Sequence, residues 1–213
     1  MIDEIKAVAR RHLASDGANL SLRAVARDMG MVSSALYRYF ASRDDLLTAL
    51  IIDAYDAVGD AVESADDGIS DRSDARARWS SCCRAIRAWA LANPNEYALI
   101  YGSPVPGYQA PQETTIAAAR TPVRLLQIVA DSPQAGPRTI ALPTGVAHDL
   151  AQLTATGGVP QLDSSLLAVA SIAWIHIFGA VSFELFGQLN NVIFDRDAYF
   201  DLQCGLMADL IGL

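Results

Sequence analysis

Ser21-Leu22-Arg23-Ala24-Val25-Ala26-Arg27-Asp28-Met29-Gly30-Met31-Val32-Ser33-Ser34-Ala35-Leu36-Tyr37-Arg38-Tyr39-Phe40 reads as two short helices joined by a glycine turn. Ser21 has the chemistry of an N-cap, and Leu22, Val25, Ala26 and Met29 follow at i, i+3, i+4 and i+7. Gly30 closes that helix, and a tight reversal at this point predicts a positive φ. A second helix is expected from Ser33 or Ser34, with Leu36 and Phe40 turned to a core. Its first turn, Ser33-Ser34-Ala35, is small, so its N-terminus and free N–H groups can approach base edges and phosphates. Tyr37, Arg38 and Tyr39 then project as hydrogen-bond donors. A bracing helix, a glycine turn and a helix entering the major groove need this spacing. Arg23 and Arg43, at the starts of the flanking helices, sit where the DNA backbone would pass. An ordinary helical hairpin with surface tyrosines fits the spacing too.

Outward from this stretch the apolar spacing stays helical. A first helix is expected over residues 2–15, with Ile5, Val8, Ala9 and Leu13 buried and Gly17 as its stop. Ser42 with Asp45 resembles a capping box, aspartate replacing glutamate, and opens a helix through Leu46, Leu50 and Tyr55. Residues 66–74 read as a polar break, and a helix with Trp79, Ile86 and Trp89 stops before Pro94. Prolines and glycines make loops of 102–111 and 133–143 on either side of a helix near 114–129. Helices near 146–156, 163–189 and 198–211 complete an all-α chain. The division expected is a three-helix DNA-binding domain at 1–47 and a larger helical effector-binding and dimerisation domain at 48–213.

Composition narrows the function. The 213 residues are 52% hydrophobic and 19% charged, enough to bury a core. The net charge is −8, which excludes a general nucleic-acid coat protein. Its distribution is uneven: residues 1–47 sum to +1 and the remainder to −9. Only the first quarter can approach phosphates without a global penalty. Cys82, Cys83 and Cys204 form no C-x-x-C spacing and read as reduced intracellular thiols. Charges within Met1–Arg11 argue against a signal peptide, so a cytoplasmic location is expected. Leu166–Phe183 is long and apolar enough to span a membrane, but Asp163 and Glu184 flank it and no Lys or Arg sets an orientation. No membrane partner is expected.

The residues Gly30 to Phe40, followed by Ser42-Arg43-Asp44-Asp45-Leu46, resemble the signature of the tetracycline-repressor (TetR) family of regulators. The likeness covers about residues 1–50. It implies that Ser33, Ser34, Ala35, Tyr37, Arg38 and Tyr39 contact DNA, with Ser21, Arg23 and Arg43 at phosphates. Val32 departs from the pattern, standing where many members have a serine N-cap; Ser33 would cap instead, or the helix would start one residue later. Trp174-Ile175-His176-Ile177-Phe178-Gly179 is similar to a Trp-His-Gly region of one subgroup's C-terminal domain, with Phe178 where histidine is expected. That likeness places the last two helices at a dimer interface.

A helix apolar on all sides needs cover from a partner. Leu167, Ile175, Gly179, Ala180 and Phe183, with Leu202, Leu206 and Leu210 on the last helix, are therefore expected at a homodimer contact. Trp89, Tyr97, Tyr101, His148, Trp174 and His176 are candidates for an apolar pocket holding an unknown small-molecule effector. Asp53, Asp56, Asp60 and Glu63 read as a solvated face. His148-Asp149 as a phosphohydrolase fragment, and His176 with Glu184 as metal ligands, lack supporting partners, so no metal or cofactor is expected. Nucleophile-elbow, P-loop and dinucleotide patterns are absent. Together these readings predict a ligand-responsive repressor that binds a palindromic double-stranded DNA operator as a dimer, and no enzymatic activity. The alternative is a helical small-molecule-binding protein or enzyme that kept the fold without DNA binding. The basic first quarter with Tyr37-Arg38-Tyr39 discriminates against it.

Overall fold

The computed structural model describes residues 1–16, 20–133, 135 and 140–213. Among these residues the regular structure is α-helical. The helices are α1 (Ile2–Asp16), α2 (Leu22–Asp28), α3 (Ser33–Leu36), α4 (Arg43–Asp67), α5 (Ala75–Ala92), α6 (Pro94–Tyr101), α7 (Glu113–Asp131), α8 (Thr144–Ala155), α9 (Ser164–Leu185) and α10 (Arg196–Ile211). Gly17 and part of the 133–143 loop lie outside the described residues. The chain forms two units, one of residues 1–57 and 92–118, the other of 58–91 and 119–213.

The first unit is built on the α1 stripe. Ile5, Val8, Ala9 and Leu13 are buried, and Val25, Ala26, Leu36 and Leu46 join them in one apolar cluster. Leu99, from α6, and Val105 and Tyr108, from the loop after it, pack against the same cluster, which sequence periodicity did not reveal. Tyr108 is fixed by a hydrogen bond of 2.9 Å between its hydroxyl and Thr48. Lys6 and Arg10 of α1 both reach Asp53 of α4 at 2.7 Å. The expected solvated acidic face is thus engaged: Asp53 here, and Asp60 and Glu63 in the second unit, where Arg120 pairs with both. These α4 acids meet basic side chains of α1 and α7, so they pair instead of only hydrating.

Residues 68–74 form the expected break between α4 and α5, but Asp66 is not part of it and lies within α4. Asp66 is wholly buried. Arg78 grips it with two hydrogen bonds, Nε to Oδ1 at 2.7 Å and Nη2 to Oδ2 at 3.1 Å. Arg72 donates to Oδ2 at 2.9 Å, and Arg124 Nε stands 2.7 Å from the same oxygen. Arg78 also donates to Asp131 at 2.9 Å, which joins α4, α5 and α7. Burial alone would raise the Asp66 carboxyl, but the Arg78 and Arg72 hydrogen bonds and the Arg78 and Arg124 charges hold it at about 2. On the far side, Arg87 of α5 makes a bidentate pair with buried Glu184 of α9 at 2.6 and 2.8 Å. It also pairs with Asp197 of α10 at 2.8 Å. Trp79 Nε1 donates to the Cys204 carbonyl at 3.2 Å. The three cysteines are free and buried, and burial first, then the Asp66 charge, pushes the Cys82 thiol up to about 12.

Asp163 caps α9, accepting from Ser165 N at 2.9 Å and Leu166 N at 3.0 Å. Among the described residues α9 alone is long and apolar enough to cross a membrane, and half of its apolar window is buried in the chain's own core. Leu167, expected at a dimer contact, is one of these core residues and is fully buried. It shares a face with Ala170, Ala173, Ile177 and Val181, whereas Ile172, Ile175 and Phe183 on the other face are exposed. Uniform apolarity hid this division, because the sequence gives no polar stripe to mark the outward side.

Removing one partner from a buried pair leaves an uncompensated charge, so Asp66→Asn should destabilise the protein by about 3–5 kcal/mol in chemical denaturation at pH 7. The Asp66 carboxyl is depressed in the folded state to about 2. Its contribution is therefore present above the unfolded value of about 3.9 and is lost as pH falls towards 2. Wild type should lose stability through this window, and Asp66→Asn should show a flatter acid limb. Equal acid limbs would show that another carboxylate governs it.

Candidate nucleic-acid interface

Ser21 stands in extended conformation before α2, and its Oγ accepts from Ala24 N at 3.5 Å. Arg27 is in the last turn, where a cation complements the helix dipole. The helix ends in a double reverse bond: Met31 N donates to Ala26 O at 2.9 Å and Gly30 N to Arg27 O at 3.0 Å. This pair is the Schellman closure and puts Gly30 in the left-handed region, at φ +66°. Both bonds run back into the last turn of α2 and reverse the chain within two residues.

Beyond the turn, α3 occupies only Ser33–Leu36. Val32 is its N-cap, extended at φ −71° and ψ 140°, and no side chain caps the helix. Neither sequence expectation for the departure at Val32 describes this: Ser33 is the first helical residue, and the turn closes through the backbone, Ala35 N donating to Val32 O at 2.9 Å. Turns continue the path, Arg38 N to Ala35 O at 3.3 Å and Tyr39 N to Leu36 O at 2.9 Å. Leu36 and Phe40 anchor the segment in the core, while Tyr37, Arg38 and Tyr39 are exposed between them. Ser42 Oγ accepts from Asp45 N at 3.1 Å and starts α4.

These elements enclose an open groove of about 560 Å³ lined by Leu20, Ser21, Leu22, Arg23, Tyr37, Ala41, Ser42 and Arg43. Four of the sequence-predicted contact residues, Ser21, Arg23, Tyr37 and Arg43, thus share one wall system. Ser34, Arg38 and Tyr39 are exposed, with Ser33 and Ala35 half-buried beside them. The cations differ in freedom. Arg43 is held, donating to Leu20 O at 3.2 Å and lying 3.3 Å from Asp44. Arg23 and Arg38 are, among the described residues, the basic side chains with neither a hydrogen bond nor an ion pair. Arg23 is in the first turn of α2 and Arg38 follows the end of α3, and unpaired guanidinium groups beside hydroxyl donors suit a polyanion.

The six pocket candidates divide between the two units. Tyr97 and Tyr101 belong to the first unit, their rings 5.1 Å apart, with Tyr55 edge-on to Tyr101 at 5.9 Å. Tyr97 is fully buried in that packing. Trp89, His148, Trp174 and His176 belong to the second unit. His148 is exposed and meets only Gln152, one turn along its own helix, at 3.0 Å. His176 also faces outward, 3.0 Å from Gln203 of α10, so its helical phase turns it away from the α9 core. Trp174 packs edge-on against Phe178 at 5.9 Å, its Nε1 buried without a partner. Among the described residues no group of three His, Cys, Asp or Glu side chains is placed to hold a metal ion.

Known proteins share this arrangement. Residues 5–50 match the tetR family of bacterial regulatory proteins, and residues 79–207 match the tetracyclin repressor-like C-terminal domain. The HTH-type transcriptional regulator Rv1816 of Mycobacterium tuberculosis is 39% identical over 98% of this chain and 91% of its own length. The crystal structure of regulatory protein SCO4313 superposes with a TM-score of 0.81 at 36% identity, covering 98% of this chain and 95% of that one. A protein from Rhodococcus sp. RHA1, at 23% identity and a TM-score of 0.71, shares the fold over 100% of this chain and 95% of its own. The chain belongs to the tetracycline-repressor family and is a DNA-binding transcriptional regulator of the helix-turn-helix type.

Proposed function

We propose that the protein is a ligand-responsive repressor that binds a palindromic operator as a homodimer in the cytoplasm, with DNA binding and not catalysis as its activity. The observation that carries this reading is the pair of unpaired guanidinium groups: Arg23, which lines the groove with exposed Tyr37, and Arg38, exposed between Tyr37 and Tyr39. In this reading residues 1–47 read the DNA, and residues 48–213 bind the effector and dimerise. Ser33, Ser34 and Ala35 let the α3 N-terminus approach base edges. Tyr37, Arg38 and Tyr39 contact bases or backbone, and Ser21 and Arg23 clamp a phosphate. Arg43, already bonded to Leu20 O, supports the groove wall and offers its remaining N–H groups to the backbone.

Dimerisation is supported by an exposed apolar row on α9 and α10: Ile175 is 61% exposed, Phe183 57%, Leu202 56% and Leu206 52%. A row of this size on a free surface is what soluble monomers avoid. Gly179, exposed, and Ala180, half-buried, leave room for a partner helix to approach. Two copies would present two reading helices to half-sites about one turn of DNA apart. An effector bound among residues of the second unit, with Trp89 and Trp174 as candidate contacts, would act through its differential affinity for two spacings of those helices. Repression would follow from blocking polymerase access.

The reading is tested by a mobility shift with DNA from beside the protein's own gene. Arg38→Ala should weaken operator binding by roughly 1–3 kcal/mol if Arg38 reads a base, and Tyr37→Ala should weaken it too. Arg23→Ala should weaken binding evenly across sequences and lower the salt slope by about 1. Unchanged affinities in folded variants would remove the assignment. Around Gly30 an added Cβ meets nothing within 4 Å, so the cost of a side chain comes from φ alone. Gly30→Val should therefore lose ~1–2 kcal/mol of stability together with operator affinity, and Gly30→Asn distinctly less. Melting curves that rank the two variants equally would contradict this. Ala180→Glu should sediment as a monomer at micromolar concentration where wild type sediments as a dimer; a dimeric variant would place the contact elsewhere.

A further inference from the structure

One polar pair interrupts the exposed apolar row of the second unit. His176 Nε2 lies 3.0 Å from Gln203 Oε1, across the antiparallel pair α9 and α10. Ile172, Leu206 and Leu210 follow on one side of this pair, and Phe183 and Leu202 on the other, all exposed. The surrounding charges are taken up: Glu184 by Arg87, Asp201 by Arg84 and Asp209 by Arg76. The His176 Nδ1 and the remaining hydrogen-bonding capacity of the Gln203 amide meet no other group among the described residues.

The chemistry left outward is the same for both ring tautomers. If Nε2 carries the proton, it donates to the Gln203 oxygen, leaving an Nδ1 lone pair and an amide NH2. If the amide turns and donates to Nε2, an Nδ1–H and a carbonyl oxygen remain. In each case one protomer offers at least one donor and one acceptor, side by side, in the middle of an apolar surface. A two-fold contact brings the same patch together from both copies, so it accepts polar groups only where the patch complements itself. A lone donor or a lone acceptor would meet its like; this pair meets its complement.

We propose that His176 and Gln203 form a four-membered hydrogen-bonded set with the same two residues of a second copy, and that this set fixes the register of the dimer. The proposal rests on the α9–α10 dimer reading. The apolar residues supply the attraction, which tolerates sliding of one helix pair on the other. Any slide strands the donors and acceptors in a dry contact, where unmade bonds are costly, so only one register satisfies them.

Sedimentation of the full chain over a concentration series tests it, with thermal melting to establish folding. His176→Leu and Gln203→Leu each orphan the remaining groups and should raise the dimer dissociation constant roughly tenfold or more. The double variant His176→Leu/Gln203→Leu leaves nothing unpaired and should return towards the wild-type constant. His176→Gln, which keeps one donor and one acceptor, should stay close to wild type. Single variants that dimerise like wild type, or a double variant whose loss is the sum of the singles, would overturn the proposal while leaving the dimer intact. A wild-type chain that stays monomeric at micromolar concentration would overturn the dimer reading beneath it. Should Ala180→Glu be monomeric while His176→Leu dimerises normally, the pair faces solvent and the register is set otherwise.

Discussion

Three guanidinium groups converge on the Asp66 carboxylate, and the larger unit is arranged around that convergence. Asp66 closes α4, Arg72 lies in the connection that follows, Arg78 is in α5 and Arg124 in α7. Taking one carboxylate out of water is costly, and one cation in a low-dielectric interior seldom compensates for it. Here bidentate geometry and three positive charges do, and they hold the Asp66 carboxyl well below the usual carboxylate range. The arrangement is demanding in direction as well as charge. A guanidinium is planar, and its two-point grip on a carboxylate fixes orientation, so the α4–α5 corner has little freedom. Apolar packing, being non-directional, would allow these helices to roll; the ion cluster does not.

At the reading end the constraint comes from the backbone instead. A reversal of two residues after α2 requires a left-handed residue, and Gly30 supplies it. The bonds from Met31 and Gly30 into α2 make that reversal rigid, so α3 leaves at a fixed angle even though it is only one turn long. Such a helix has no stability of its own. It is held by Leu36 and Phe40 at its inner side and by the capped start of α4 behind it. Rigidity of the scaffold thus lets a short element carry exposed side chains in defined directions.

Much of this was legible in the sequence because the first fifty residues obey strong local rules. A serine cap, i, i+3, i+4 spacing and a glycine stop each leave a mark that needs no partner to be read. The long-range features left no such mark. Asp66 looked like part of a polar link because a charge buried by three arginines, up to fifty-eight positions away, reads locally as a surface charge. The outward face of α9 was hidden by its uniform apolarity, so Leu167 and Ile175 looked alike although one is core and the other exposed. The aromatic candidates for a pocket were grouped by residue type, and type does not tell which side of a helix a ring occupies. Tyr97 is sealed in packing and His176 is turned outward. The sequence already singles out Arg23 and Arg38; what only three dimensions show is that they are unpaired, while every other described Lys or Arg finds a partner.

The pairing of cations elsewhere has an electrostatic corollary. Arg72, Arg76, Arg78, Arg84, Arg87, Arg120 and Arg124 each stand against a carboxylate, so their fields are cancelled at short range. What extends into solvent from residues 48–213 is the uncancelled excess of nine negative charges. A polyanion is therefore repelled by residues 48–213 and tolerated by residues 1–47. Within a Debye length, about 10 Å at 0.1 M salt, that asymmetry acts as a torque. It turns the molecule before contact instead of pulling it in. Such a protein gains little general affinity for DNA, but the encounters that do occur favour residues 1–47.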